Sequence, residues 1–170
     1  MYPRTGATHV ARQRWLVAAA VLGAMGLCAG RRLRRVAVTG DSMLPILQPG
    51  DRALALRTGR HRVGDIVACV DPRNRHRSLV KRVAAVPGGH LEMEGGVPLA
   101  AGSGYIVLGD NSSASTDSRH FGSIDANLII GRLFFRYLPE GRAGVISRRS
   151  ARYACETERG HALSVEKGSD

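Results

Sequence analysis

Lysine is almost missing from this chain. Of 25 basic side chains only two are lysines, Lys81 and Lys167, and every other one is arginine. Aromatic residues are scarce as well, at 5% of 170 residues. That counts against single-stranded nucleic-acid binding, which needs stacking aromatics interleaved with basic groups. Cysteines number three, Cys28, Cys69 and Cys155, with no CxxC pair and no Cys/His ligand spacing. This leaves no zinc motif and no disulfide framework, and nothing in the sequence supports a Cys69–Cys155 bridge. The six histidines are scattered. Acidic residues are absent from positions 1–35, which hold seven arginines, so most of the net charge of +11 sits at the N-terminal end.

Long apolar runs are missing too, with one exception. "WLVAAAVLGAMGLCAG", residues 15–30, lies between Arg12 and Arg14 on one side and "RRLRR" on the other. Basic flanks around an apolar run suit a membrane better than nucleic acid. As a helix the run is roughly 24 Å long against a hydrocarbon core of about 30 Å, so it is short for a span. Arginines at both ends can snorkel to the interfaces. The expectation is a single membrane anchor, with a lipid bilayer as partner and no nucleic acid. A cleaved secretion signal or a buried helix are the other readings of such a run. Three arginines precede it and four follow, and the terminal amine evens the count, so charge alone sets no orientation.

From residue 31 the pattern is β. "RVAVTG", "DRALALRT", "VGDIVACVDP", "SLVKRVAAVPGG", "GYIVLGDN" and "ANLIIGRLFFRYLP" read as strands bounded by Gly, Pro and Asp turns, the last one bent at Gly131. "HLEMEGGVPLA" reads as a hairpin around Gly95 and Gly96. Short strands with turn signals every 8–12 residues predict a mainly β domain, a barrel or sandwich. The expected plan is a basic segment over 1–14, the anchor over 15–30, a β domain over 31–140 and a flexible tail over 141–170, where the chain turns polar and loses periodicity.

Lys81 stands inside one of those strands. Leu79, Lys81, Val83 and Ala85 share a strand face, so its ammonium projects among apolar neighbours. Burial lowers a lysine pKa by up to about 3–5 units, from about 10.4. A neutral lysine is a general base, a role closed to arginine. A snorkelling lysine on a sheet edge is the plainer reading of the same position. A base needs a nucleophile, and "VTGDSMLP" puts Ser42 in a Gly-Asp-Ser turn just after a strand. There a hydroxyl is presented and turn N–H groups can meet an oxyanion, although Gly, Asp and Ser also make ordinary turns. The third stretch is "GDNSSASTDSRHFG", residues 109–122. In it Asp117 and Arg119 are spaced to pair across a turn, and several hydroxyls are available to orient an amine.

"GDSMLP", "LVKRVAAVPGG" and "GDNSSASTDSRHFG", in this order and at these intervals, resemble the signature boxes of type I signal peptidases, the Ser–Lys dyad membrane serine proteases. The likeness covers residues 36–139 and is that of a minimal bacterial form, with only 27 residues between Lys81 and Gly109. It implies an all-β catalytic fold behind one N-terminal transmembrane helix, on the extracytoplasmic side of the cell membrane. It also implies cleavage after small residues, Ala-x-Ala-like, in the signal-peptide region of exported preproteins, with substrate bound as an added strand and with no metal or cofactor. Residue by residue, it makes Ser42 the nucleophile and a backbone oxyanion donor, and Lys81 the general base. Ser115 becomes the hydroxyl that orients the amine, and Asp117 and Arg119 the ion pair that props the site. Met43 and Val80 fall at substrate-binding positions.

Two departures stand out. Where some members carry Ser or Thr as a second oxyanion donor this chain has Gly40, and Asp41 puts a carboxylate beside the nucleophile. Three other readings remain at this point. One is a dedicated Ser–Lys maturation peptidase for a single partner, such as a nickel superoxide dismutase leader or a secreted peptide. Another is a histidine triad using His120. The third is a non-catalytic, membrane-tethered peptide-binding module.

Overall fold

The computed structural model describes residue 30 and residues 32–93 and 97–148. The basic segment, nearly all of the expected anchor, the glycines of the expected 90–100 hairpin, Cys155 and Lys167 lie outside them. Among the described residues no helix is long and apolar enough to cross a membrane.

The fold is mainly β and antiparallel. Strands β1 (Leu33–Ala37), β2 (Arg52–Leu56), β3 (Ile66–Asp71), β4 (Asn74–Ala85), β7 (Ile106–Leu108), β8 (Ile129–Leu138) and β9 (Gly144–Val145) form one seven-stranded sheet. Its order is β1-β2-β8-β3-β4-β7, with β9 paired to β8. The pairings among the described residues do not close into a ring: β1 and β7 are the ends. A small second sheet, β5 (His90–Leu91) with β6 (Leu99–Ala100), is the expected hairpin.

β3 explains why the sheet is buried on both faces. Its run Ile-Val-Ala-Cys sends alternate side chains to opposite sides. Ile66 and Ala68 join a core with Val38, Met43, Leu47, Ala53, Ala55 and Leu133. Val67 and Cys69 join another with Leu79, Val83, Tyr105, Val107 and Ile124. The first core is roofed by the loop between β1 and β2, residues 38–51, so the loop that carries Ser42 is seated by Met43 and Leu47. The bend expected at Gly131 is present as a register shift opposite Ala68 and Cys69. A side chain at Gly131 would come within 2.8 Å of the Leu56 carbonyl, so only glycine lets β2 approach there.

Residues 140–148, expected largely in the tail, carry local structure. Glu140–Arg142 is a 3-10 turn, Gly144 and Val145 pair with Arg136 and Phe135, and the Ile146 N–H reaches the Phe134 carbonyl at 2.9 Å. The charged, aperiodic sequence hid this because the segment is held by arginine side chains, backbone pairing and the apolar contact of Ile146 with the first core rather than by a periodic apolar face.

Candidate active site

The 38–51 loop leaves β1 and returns to β2 with its ends tied, Val38 N–H to the Asp51 carbonyl at 2.9 Å and Gly50 N–H to the Val38 carbonyl at 2.8 Å. Ser42 lies in the tight turn this creates. The 109–122 loop grips the same turn from outside. Asn111 donates its backbone N–H to the Ser42 carbonyl at 3.0 Å and its side-chain amide to the Asp41 carbonyl at 3.3 Å. Gly109 lies against both: a Cβ there would meet the Ser42 carbonyl at 2.7 Å and collide with the Ser115 side chain. Asn111 and Gly109 were not singled out from sequence, although the Gly-Asp-Asn turn after an apolar strand was the visible signal.

Ser42 and Lys81 line one cleft of about 370 Å³. Its walls are residues 37–43 on one side and β4 residues 76–81 on the other, with Ala114 and Thr116 from the third loop. β4 pairs with β7 only from Arg82 onward, so among the described residues the stretch before it has an unpaired edge lining the cleft. Met43, fully buried, and Val80, half-buried, also line it. No hydrogen bond joins the Ser42 and Lys81 side chains here. In ligand-free sites such bonds are often long and tighten only with substrate.

Lys81 is 2% exposed. Among the described residues it has no ion-pair partner. Its pKa is lowered from the ordinary lysine value, chiefly by burial; Asp117 pulls it back up, while the arginines at 77 and 119 push it down. The thiol of Cys69 is pushed up to about 12, mainly by burial, with Lys81 opposing the shift. Cys69 is a free thiol and stays protonated at neutral pH.

Asp117 is the hub of the third loop. It caps the short helix α1 (Ser118–Phe121), and its Oδ2 accepts from the Gly109 N–H at 2.9 Å, from Ser115 Oγ at 2.6 Å and from Arg119 Nη2 at 2.6 Å. Burial alone would raise this carboxyl. The hydrogen bonds from Arg119, Gly109 and Ser115 outweigh it and hold the pKa below the ordinary value. A buried, fully bonded carboxylate therefore stands near Lys81 without pairing with it. The Ser115 hydroxyl is spent on Asp117, and no hydrogen bond links it to Lys81 in this structure.

His120 belongs to the helix cap. Its Nδ1 accepts from the Asp117 N–H at 3.4 Å, and it is not among the residues lining the cleft. Two residues before Ser42, Gly40 has open space where a side chain would stand. Asp41 is exposed to solvent, which screens its charge. The Ser42 N–H donates to none of the described residues. Among the described residues no cluster of His, Cys, Asp or Glu is arranged to hold a metal ion.

Arg82, the residue after Lys81, escaped the sequence reading. On the other face of β4 it forks onto Asp110, Nε to Oδ1 and Nη2 to Oδ2, both at 2.7 Å, and gives Nη1 to the Gly64 carbonyl at 2.8 Å. It thereby ties the Lys81 strand to the Gly-Asp-Asn turn that holds Ser42.

Such a cleft can support acyl transfer by a serine activated by an amine. Comparison with known proteins shows the family. Residues 12–103 and 97–138 match the model of the family described as signal peptidase, peptidase S26. The chain is 36% identical over 115 residues to the mitochondrial ATP-independent inner membrane protease subunit 1a of Arabidopsis thaliana, covering 60% of this chain and 68% of that protein. It is 30% identical over 141 residues to the probable signal peptidase I-1 of Synechocystis sp., covering 63% and 72%. Against signal peptidase IB of Staphylococcus aureus the identity is 26% over 171 residues, covering 74% and 88%. The two matched stretches together take in the Ser42 turn, the Lys81 strand and the 109–122 loop, so the chain belongs to the signal peptidase family, peptidase S26, and is a serine endopeptidase.

Proposed function

We propose that this chain is a membrane-anchored peptidase that removes N-terminal signal peptides from exported preproteins, with Ser42 as nucleophile and Lys81 as general base. The observation that carries the reading is Lys81, a buried lysine with a lowered pKa and no ion-pair partner among the described residues, sharing a cleft with Ser42. Neutral Lys81 takes the Ser42 proton, and the serine oxygen attacks the carbonyl that follows a small residue of the substrate. The Ser42 N–H holds the oxyanion. Lys81 then protonates the leaving amine and activates water to release the acyl-enzyme.

The peptide lies as an added strand along the unpaired edge of β4, with Val80 and Met43 beneath its small side chains. Asp117, fixed by Arg119 and Ser115, sets the field at the amine. Residues 15–30 are the single-pass anchor, and the β domain faces the extracytoplasmic side. A preprotein with an Ala-x-Ala site, mixed with the full chain in detergent, tests this. Cleavage after the second alanine by the wild type, and none by Ser42→Ala, is the expected result. Equal cleavage by Ser42→Ala ends the proposal. N-terminal sequencing of secreted proteins in cells with and without the chain separates a general peptidase from one dedicated to a single partner.

A further inference from the structure

Away from the cleft, buried charge joins the C-terminal segment to the loop that carries Ser42. Asp51, 1% exposed, ends that loop. Its carboxylate accepts from the Gln48 N–H at 2.9 Å, from Arg136 Nη1 at 3.4 Å and from Arg142 Nη1 at 3.1 Å. The same two guanidinium groups donate to the Ile46 carbonyl, at 2.9 Å and 3.4 Å. Arg136 also donates to the Arg142 carbonyl, so the two arginines form one unit. Arg142 lies beyond residue 138, where the family match ends. After it the segment pairs with β8, and Arg148 reaches the buried Asp65. The Asp65 carbonyl in turn accepts the Val83 N–H at 2.8 Å, two residues along β4 from Lys81.

We propose that residues 140–148 are a brace that positions the Ser42 loop against the Lys81 strand, with Arg142 as the positioning residue and Asp51 as its anchor. The proposal rests on the Ser42/Lys81 reading above. The loop contains no helix or strand. Val38, Met43 and Leu47 seat it in the core, and among the described residues its backbone ties before the nucleophile, apart from local turn bonds, are its closing pairs and the contact of Asn111 with Asp41. A guanidinium that bonds both a side-chain carboxylate and a main-chain carbonyl fixes two points of a loop at once, which a point-like ammonium does less well. None of residues 140–148 lines the cleft, so the brace acts on rate through geometry. A misplacement of about 1 Å remote from the chemistry can cost about 100-fold.

The test uses the full chain in detergent, a preprotein substrate and a serine-directed acylating probe, at a temperature where thermal unfolding shows each variant folded. Arg142→Ala is expected to slow Ser42 acylation roughly 10- to 100-fold with KM changed less than about twofold. Arg142→Lys should recover part of the rate. Asp51→Asn should lower the rate similarly, and combining it with Arg142→Ala should add little, because both break one contact. If Arg142→Ala does not fold, Arg142→Gln, which keeps a donor, is read the same way. Wild-type acylation in the Arg142 variant, even with a lowered Tm, overturns the brace and leaves the segment merely structural. Ser42→Ala in the same assay separates the two ideas: an active Ser42→Ala removes the dyad, whereas an inactive one beside a fully active Arg142→Ala removes the brace alone.

Discussion

Lys81 and Arg82 are consecutive residues of one strand, both are cations in water, and the structure leaves them 2% and 3% exposed. Their surroundings differ in every other respect. Arg82 has a carboxylate fork and a carbonyl for its donors. Lys81, on the opposite face, has Leu79 and Val83 beside it and a carboxylate nearby that is fully occupied by Arg119, Gly109 and Ser115. Burial with partners keeps a charge and makes it structural. Burial without partners disfavours the charge and makes the amine a base. The strand's alternation is what allows both outcomes one residue apart.

The comparison breaks most visibly if the two cations are exchanged in kind. Lys81→Arg keeps a charge that cannot come off, and cleavage should fall by about 10³-fold or more, close to the loss in Ser42→Ala. Substantial turnover by Lys81→Arg in the preprotein assay would end the base assignment. Next in size is Arg82→Met, which strands Asp110 beside an apolar side chain. Removing one partner of a buried pair costs about 3–5 kcal/mol, to be read as a lowered denaturation midpoint. An unchanged midpoint would mean that the Arg82–Asp110 pair is not structural.

Lys81→Met should do the opposite to stability while abolishing activity. The folded pKa of Lys81 is below its unfolded value, so the unfolded chain holds the proton more tightly. The cost of burying the charge is fully present below the folded pKa, and it is relieved as pH rises from there toward the unfolded value. Thermal unfolding should find Lys81→Met more stable than wild type at low pH, with the gap narrowing as pH rises. A destabilised variant across the whole range would show that the amine is satisfied after all. The smallest effect is a shift. Asp117 raises the Lys81 pKa and Arg119 lowers it, so Asp117→Asn should move the acid limb of the pH–rate profile to lower pH, besides lowering the plateau. A limb moved to higher pH would contradict the assigned field.

Much of this was legible in the sequence. The lone lysine in an apolar strand, the Gly-Asp-Ser turn and the Asp117–Arg119 spacing are local patterns, and strand alternation carries the first of them straight into the structure. What stayed hidden is long-range. Arg82 to Asp110 spans 28 residues and Arg142 to Asp51 spans 91, and in a chain with arginine at most basic positions no single one stands out. The C-terminal segment looked like a tail because it is attached through arginine side chains, backbone pairs and one isoleucine, which leaves no hydrophobic period to read.

The shortage of lysine also offers the most direct measurement. With only two lysines in the chain, ¹³C-labelled lysine gives two side-chain signals, and Lys81→Arg assigns them. The account predicts that the Lys81 signal in the folded Ser42→Ala chain titrates below the ordinary lysine value of about 10.4, at the pH of the acid limb of wild-type acylation. Titration of Lys81 at the ordinary value, in the folded chain, would contradict it.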